Sequence, residues 1–167
     1  VMSGNNLITK KFNTKKSIRN ATSKLKEGKN WSLKADGNLY VWNTKIERLK
    51  IVRNGIPYDA LETISKRLNR PMKVVLSIVG IPQTTYNNKK SKHSLLDSRD
   101  SELVIMITEL MDYGMEVFNN EEEKFQRWLK KPNISLGNNS PESLLDTITG
   151  INEVRFALNR IEFGNLA

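Results

Sequence analysis

The stretch from Tyr58 to Lys92 limits the architecture of this chain more than any other. Leu61, Ile64, Ser65 and Leu68 recur at the i, i+3, i+4, i+7 spacing of one helical face, and Asn69-Arg70-Pro71 ends that run. Pro71 suits the first turn of a second helix, MKVVLSIV, in which Val75, Leu76 and Val79 can face a core until Gly80 breaks it. Ile81-Pro82 opens a third, polar helix over Pro82–Lys92. A short apolar helix, a tight turn containing glycine and a polar helix of about three turns make the outline of a helix-turn-helix. A mainly α fold follows, although an ordinary helical bundle with a polar surface helix gives the same outline.

The flanking segments extend the helical pattern. One helix is expected near Thr44–Val52. The longest is expected over Ser98–Asn119, capped by Asp97 or Ser98, with Leu103, Met106, Ile107, Leu110, Gly114, Val117 and Phe118 on one stripe. Phe125, Trp128 and Leu129 mark a short helix ending before Lys131-Pro132, and Ser140-Pro141-Glu142 reads as an N-cap followed by proline, ahead of Leu144 and Leu145. Gly150 is expected to interrupt. A last helix then runs from about Asn152 to Phe163, with Ile151, Val154, Leu158 and Ile161 on one face and Gly164 as its stop.

The segment WSLKADGNLYVWN is different: two runs of strand formers flank Asp36-Gly37, a dipeptide suited to the positive φ angles of a two-residue turn. It predicts a β-hairpin over 31–42 with Trp31 and Trp42 at its open end, packed on the helical body rather than stacking on bases. Residues 1–30 are rich in Lys, Asn, Ser and Thr and read as a basic arm with at most a short helix around Ser17–Lys26.

Charge divides the chain. Residues 1–54 hold 13 Lys and Arg against 3 Asp and Glu (+10), residues 55–93 hold 7 against 2 (+5), and residues 94–167 hold 7 against 13 (−6), for a net +9. A basic part joined to an acidic part points to two partners of different chemistry, with polyanion affinity before residue 94. Composition alone fits a merely soluble basic surface equally well. With no cysteine there is neither a disulfide framework nor a thiolate zinc site. No apolar run resembles a secretory signal or approaches the ~18 residues of a membrane span, so a cytoplasmic protein with no membrane association is expected.

Catalysis finds little support. The sole histidine, His93, sits among lysines at a helix end, and Glu121-Glu122-Glu123 reads as a solvated helix start. No phosphate-cradling glycine loop and no metal-ligand spacing is present, so a binding protein with no catalytic residue, metal or cofactor is expected. If Tyr86 turns inward, Gln83, Thr84, Thr85, Asn87 and Asn88 can meet DNA, with Lys89, Lys90 and Lys92 near the helix end. Amides pair bidentately with adenine and lysines neutralise phosphates, which leads to salt-dependent binding with a weak A·T preference.

The C-terminal stretch WLKKPNISLGNNSPESLLDTITGINEVRFALNRIEFGNLA carries a denser signal in Trp128-Leu129, Pro132-Asn133, Leu136-Gly137, Ser140-Pro141, Leu144 through Thr147, Gly150, Val154, Leu158, Arg160-Ile161-Glu162 and Gly164. These spacings resemble the toxin-binding domain of the Xre/MbcA/ParS antitoxin family. The similarity continues back through GIPQTTYNNKKSKHSLLDSRDSEL, which looks like that family's helix-turn-helix, and it covers roughly residues 53–167. It implies an Xre-like helix-turn-helix bundle followed by a small helical toxin-binding domain. The implied function is an antitoxin that occludes the active site of a RES-type toxin, similar in fold to ADP-ribosyltransferases and consuming NAD, and that represses its own operon.

By matching position, the resemblance implies toxin contact by Arg160, Ile161, Glu162, Phe163, Gly164 and Ala167. A helix end that simply finishes the bundle is the alternative. The expected division is a basic extension over 1–52, a DNA-binding and dimerisation region over 53–118, and a toxin-binding domain over 119–167. Partners are then a cognate toxin, operator DNA and a second copy, since helix-turn-helix proteins usually read paired half-sites. Two other readings are a free-standing regulator without a toxin and a pure inhibitor that has lost specific DNA binding. The departures lie in the reading helix: Gln83 and Asn88 stand where the family often has arginine, and His93 where a glycine commonly ends the helix. The basic residues of 10–34 are the obvious substitute for the missing phosphate contacts.

Overall fold

A computed structural model describes residues 29–164. Residues 1–28 of the expected arm, with its short helix, and Ala167 lie outside the described residues. Among the described residues, Trp31–Ala35 (β1) and Asn38–Trp42 (β2) pair as an antiparallel hairpin with Trp31 opposite Trp42. Asp36 (φ 47°) and Gly37 (φ 73°) both occupy the left-handed region that this turn demands. Seven α-helices follow: α1 (Lys45–Asn54), α2 (Ala60–Leu68), α3 (Met72–Val79), α4 (Gln83–Ser91), α5 (Ser98–Val117), α6 (Glu122–Lys130) and α7 (Ile148–Glu162). Two 3₁₀ turns, Ile134–Leu136 and Pro141–Leu144, lie between the last two helices.

Local chemistry explains most boundaries. At α1, Thr44 accepts from the Glu47 N–H at 3.1 Å while Glu47 Oε2 accepts from the backbone of Thr44 and Asn43, a reciprocal capping box. Asp97 caps α5 by accepting from the Asp100 N–H at 2.8 Å. None of the described helices is long and apolar enough to cross a membrane.

Helix α5 departs from the expected single stripe. Every residue from Leu103 to Met111 is buried, because the hairpin, α1, α2 and α7 all pack around it. An amphipathic pattern signals a helix with one covered side; α5 is the central strut of the molecule. Buried side chains from Leu33 in β1 to Leu158 in α7 form one core.

The last helix also differs. Gly150 does not interrupt it; α7 starts at Ile148, and Thr147 caps it by accepting from the Gly150 N–H at 3.0 Å. Any Cβ on Gly150 would stand 1.9 Å from the Leu144 carbonyl oxygen. Glycine serves close approach of two backbone segments here, not helix breaking. Further back, Arg70 grips Glu142 through two hydrogen bonds of 2.6 Å, Arg67 donates to Asp112 at 2.7 Å, and Gln126 donates to the Arg67 carbonyl at 2.8 Å. The helix-turn-helix segment is thereby joined to the acidic C-terminal part.

Candidate binding surfaces

The first surface centres on α4. Gly80 takes φ 81°, with no atom within 4 Å of where its Cβ would be, so the turn after α3 needs glycine for its backbone angle and not for space. The Gly80 and Ile81 N–H groups both donate to the Leu76 carbonyl, closing α3 before Pro82 starts α4. Tyr86 is buried against Tyr58, ring centres 6.4 Å apart, and this burial pushes its phenol pKa up. With Tyr86 locked inward, Gln83, Thr84, Asn87, Asn88, Lys89 and Lys92 are exposed, and Thr85 is half-buried.

Gln83 Nε2 donates to Asn87 Oδ1 at 3.0 Å, so these two amides orient one another one turn apart. No side chain caps α4, which leaves first-turn N–H groups open to an anion. Lys90 stands apart from its neighbours. It is hydrogen-bonded to Glu62, lies 3.7 Å from Asp59 Oδ1 and sits 5.8 Å from the centre of the Tyr86 ring. The Glu62 contact raises its pKa. Lys90 therefore holds α4 to α2, leaving Lys89 and Lys92 as the exposed lysines of the segment.

Beyond α4 the chain closes with the Ser94 N–H on the Lys89 carbonyl, and His93 takes φ 50°, an angle that costs a side-chain-bearing residue about 1 kcal/mol. Its Nδ1 lies 3.3 Å from Asp36 Oδ2 in the hairpin turn. Asp36, Asp59 and His93 place their ligand atoms within 4.8 Å of one another. The sequence suggests no such grouping, because the three residues are far apart in the chain.

The second surface lies on α7. Ile151, Val154, Ala157 and Leu158 are buried, while Ile148 and Phe156 of α7 and Phe163 just past its end are 40%, 57% and 67% exposed. Arg160 is exposed beside them, and its Nη2 is 3.5 Å from the Ser135 carbonyl. That contact brings alongside the 3₁₀ turn bearing Ile134, which is 90% exposed. Of the residues implicated by resemblance, Arg160, Phe163 and Gly164 are exposed and Ile161 is half-buried. Glu162 is exposed but engaged: it accepts from the Tyr113 hydroxyl at 2.6 Å. Burial first, and this hydrogen bond second, raise the Tyr113 pKa. Sequence reasoning misses Phe156, Ile148 and Ile134. Phe156 has a readable signal, an aromatic residue seven before Phe163 on the face opposite the apolar stripe.

Glu109 is buried in α5. It accepts from Trp42 Nε1 at 2.8 Å, from Arg48 of α1 at 3.2 Å and from Arg155 of α7 at 3.4 Å. One carboxylate so connects the hairpin, the first helix and the last.

Comparison with known proteins bears on both surfaces. Residues 47–108 match the model of the antitoxin Xre-like helix-turn-helix domain, and residues 114–164 match that of the antitoxin Xre/MbcA/ParS C-terminal toxin-binding domain. The chain is 29% identical over 114 residues to the antitoxin Xre of Photorhabdus laumondii, covering 68% of this chain and 77% of that protein. It is 27% identical over 113 residues to the antitoxin Xre of Yersinia enterocolitica, covering 68% and 76%. A protein of Sphingobium named Prs ADP-ribosylating antitoxin is 25% identical over 130 residues, covering 73% and 82%.

Proposed function

This chain belongs to the Xre/MbcA/ParS antitoxin family, and from that premise we propose that it neutralises a RES-type, NAD-consuming toxin by covering the toxin's active-site entrance. Inhibition is by occlusion and not by chemistry. The observation that carries this reading is the exposed apolar face of α7, Phe156 and Phe163 beside Arg160, within the segment that matches a toxin-binding domain. A protein without a partner gains nothing from presenting two phenyl rings to water, whereas aromatic residues next to an arginine are the usual anchors of an interface. The name of the Sphingobium relative, which joins antitoxin to ADP-ribosylation, accords with a toxin that uses NAD.

The same protein, in this reading, represses its own operon as a homodimer, with Gln83, Thr84, Asn87 and Asn88 toward base edges and Lys89 and Lys92 toward phosphates. Three regions divide the work: a basic extension over 1–52, the DNA-binding and dimerisation region over 53–118, and the toxin-binding region over 119–167. The extension supplies further phosphate contacts beside those of Lys89 and Lys92, the segment itself having no arginine. Deleting residues 1–30 is therefore expected to weaken operator binding and flatten its salt dependence; unchanged binding removes the extension from the interface.

The deciding experiment co-expresses the chain with the toxin gene beside its own and follows cellular NAD. Preserved NAD with the intact chain, and a fall when Phe156, Arg160 and Phe163 are all changed to alanine, is the expected result. NAD that never falls when the toxin is expressed alone rejects the RES-type partner. NAD that stays preserved with the triple variant rejects the α7 surface.

A further inference from the structure

At the far end of α4 three polar side chains from three separate elements converge on a cleft of about 690 Å³. Asp36 comes from the hairpin turn, Asp59 precedes α2, and His93 follows α4. Asp36 pairs with His93, and Asp59 pairs with Lys90 at the rim of the cleft. Asp59 holds the N-cap position of α2, yet its carboxylate accepts no capping hydrogen bond from that helix. The first-turn N–H groups of Ala60, Leu61 and Glu62 are instead taken by the carbonyls of Pro57, Tyr58 and Asp59. The Asp59 carboxylate faces the cleft, 3.7 Å from the Lys90 ammonium. The His93 ring is largely exposed, and its contact within the protein is with Asp36.

We propose that Asp36, Asp59 and His93 form a binding site for a borderline divalent metal ion of the Zn²⁺ class. The geometry is near what such an ion needs. Bonds of about 2.0–2.1 Å in a tetrahedron set ligand atoms about 3.3 Å apart, and His93 Nδ1 stands 3.3 Å from Asp36 Oδ2. All three donors lie within 4.8 Å of one another, so one short side-chain adjustment closes the set. Three protein ligands leave the fourth position to water, facing the open cleft.

The donor types select the ion. An imidazole with two carboxylates suits Zn²⁺, while Mg²⁺ prefers oxygen ligands and parts reluctantly with its waters. Lys90 close by, held by Glu62, disfavours any cation drawn by charge alone. An ion there is therefore held by coordination to His93 and not by charge alone. Bound there, it joins the hairpin turn and the start of α2 to the segment ending the reading helix, fixing the direction in which Lys89 and Lys92 project.

This chain makes the test clean, because it has one histidine and no cysteine. Tag-free full-length protein is titrated with ZnSO₄ by calorimetry, and the histidine ring protons are followed by NMR. The expected result is one equivalent bound, a shift of the His93 ring resonances complete at that equivalent, and at least tenfold weaker binding in both His93→Ala and Asp59→Asn. MgCl₂ at the same concentrations leaves the ring resonances in place. Unmoved ring resonances at one equivalent of Zn²⁺, or His93→Ala binding as tightly as the natural chain, overturns the site. Both positions lie on the surface of the cleft, and matching circular-dichroism melts for the variants show that any loss is one of ligands and not of fold.

Discussion

The surfaces on α4 and α7 are built from opposite materials. On α4 the outward residues are amides, hydroxyls and two lysines, and the one aromatic side chain, Tyr86, is turned into the core. On α7 the outward residues include Phe156 and Phe163, and the arginine nearer the helix start, Arg155, is drawn inward to Glu109. A polar surface whose charges stay hydrated in the free protein gains affinity mainly by releasing counterions, so it responds to salt. An exposed ring gains by leaving water, so it responds to buried area and hardly to ionic strength. If α4 meets DNA and α7 meets the toxin, as proposed, the two contacts answer to different physical variables, and substitutions can separate them.

The largest expected effect erases the difference. Glu109→Ala leaves the Trp42 indole N–H without its acceptor and two arginines without their carboxylate. The cost is about 3 kcal/mol, tempered because both arginines retain some access to water. Urea unfolding should show that loss, with DNA and toxin binding weakened together; a midpoint unchanged from the natural chain rules out Glu109 as the joint.

Next in size, Phe163→Ala and Phe156→Ala should each reduce toxin affinity about tenfold to thirtyfold, or 1.4–2 kcal/mol, with operator binding untouched. Surface-plasmon measurements at two salt concentrations check both halves of that statement. Gly80→Ala should do the reverse. Its φ of 81° strains any larger residue by about 1 kcal/mol, tilting α4 against α3 and weakening operator binding while toxin binding stays intact.

The smallest effects are the most discriminating. Lys89→Ala and Lys92→Ala should each flatten the slope of log affinity against log salt by about one, as the loss of one phosphate contact does. Lys90→Ala should leave that slope unchanged and slightly lower the melting temperature, since Lys90 is engaged with Glu62 and Asp59. Equal slopes for Lys89 and Lys90 variants would show that the two lysines play the same part.

Features set by residues adjacent along the chain are legible in the sequence itself. Asp36-Gly37 announces the hairpin and Gly80 the turn that leads into α4, where Tyr86 takes the inward side. Features set by distant neighbours are not. Gly150 looks like a helix breaker by composition, and only the Leu144 carbonyl resting where its Cβ would be reveals why glycine stands inside α7. Lys90 looks like its neighbour Lys89 until Glu62 and Asp59 are placed beside it. Glu109 is one acid among thirteen in its part of the chain, and its role exists only where three elements meet. Position 156 lies between these cases: its spacing is visible, but the family resemblance directs attention to the helix end.

That meeting at Glu109 limits how this protein can be rearranged. A chimera that pairs α4 of this chain with another relative's C-terminal segment would part Glu109 from Arg155, and Arg70 from Glu142. Exchanging partner specificity by cutting between the two surfaces is therefore not a matter of choosing a linker. A workable graft has to inherit residues 42, 48, 70, 109, 142 and 155 as a set, or replace each of these polar pairings with one of equal fit.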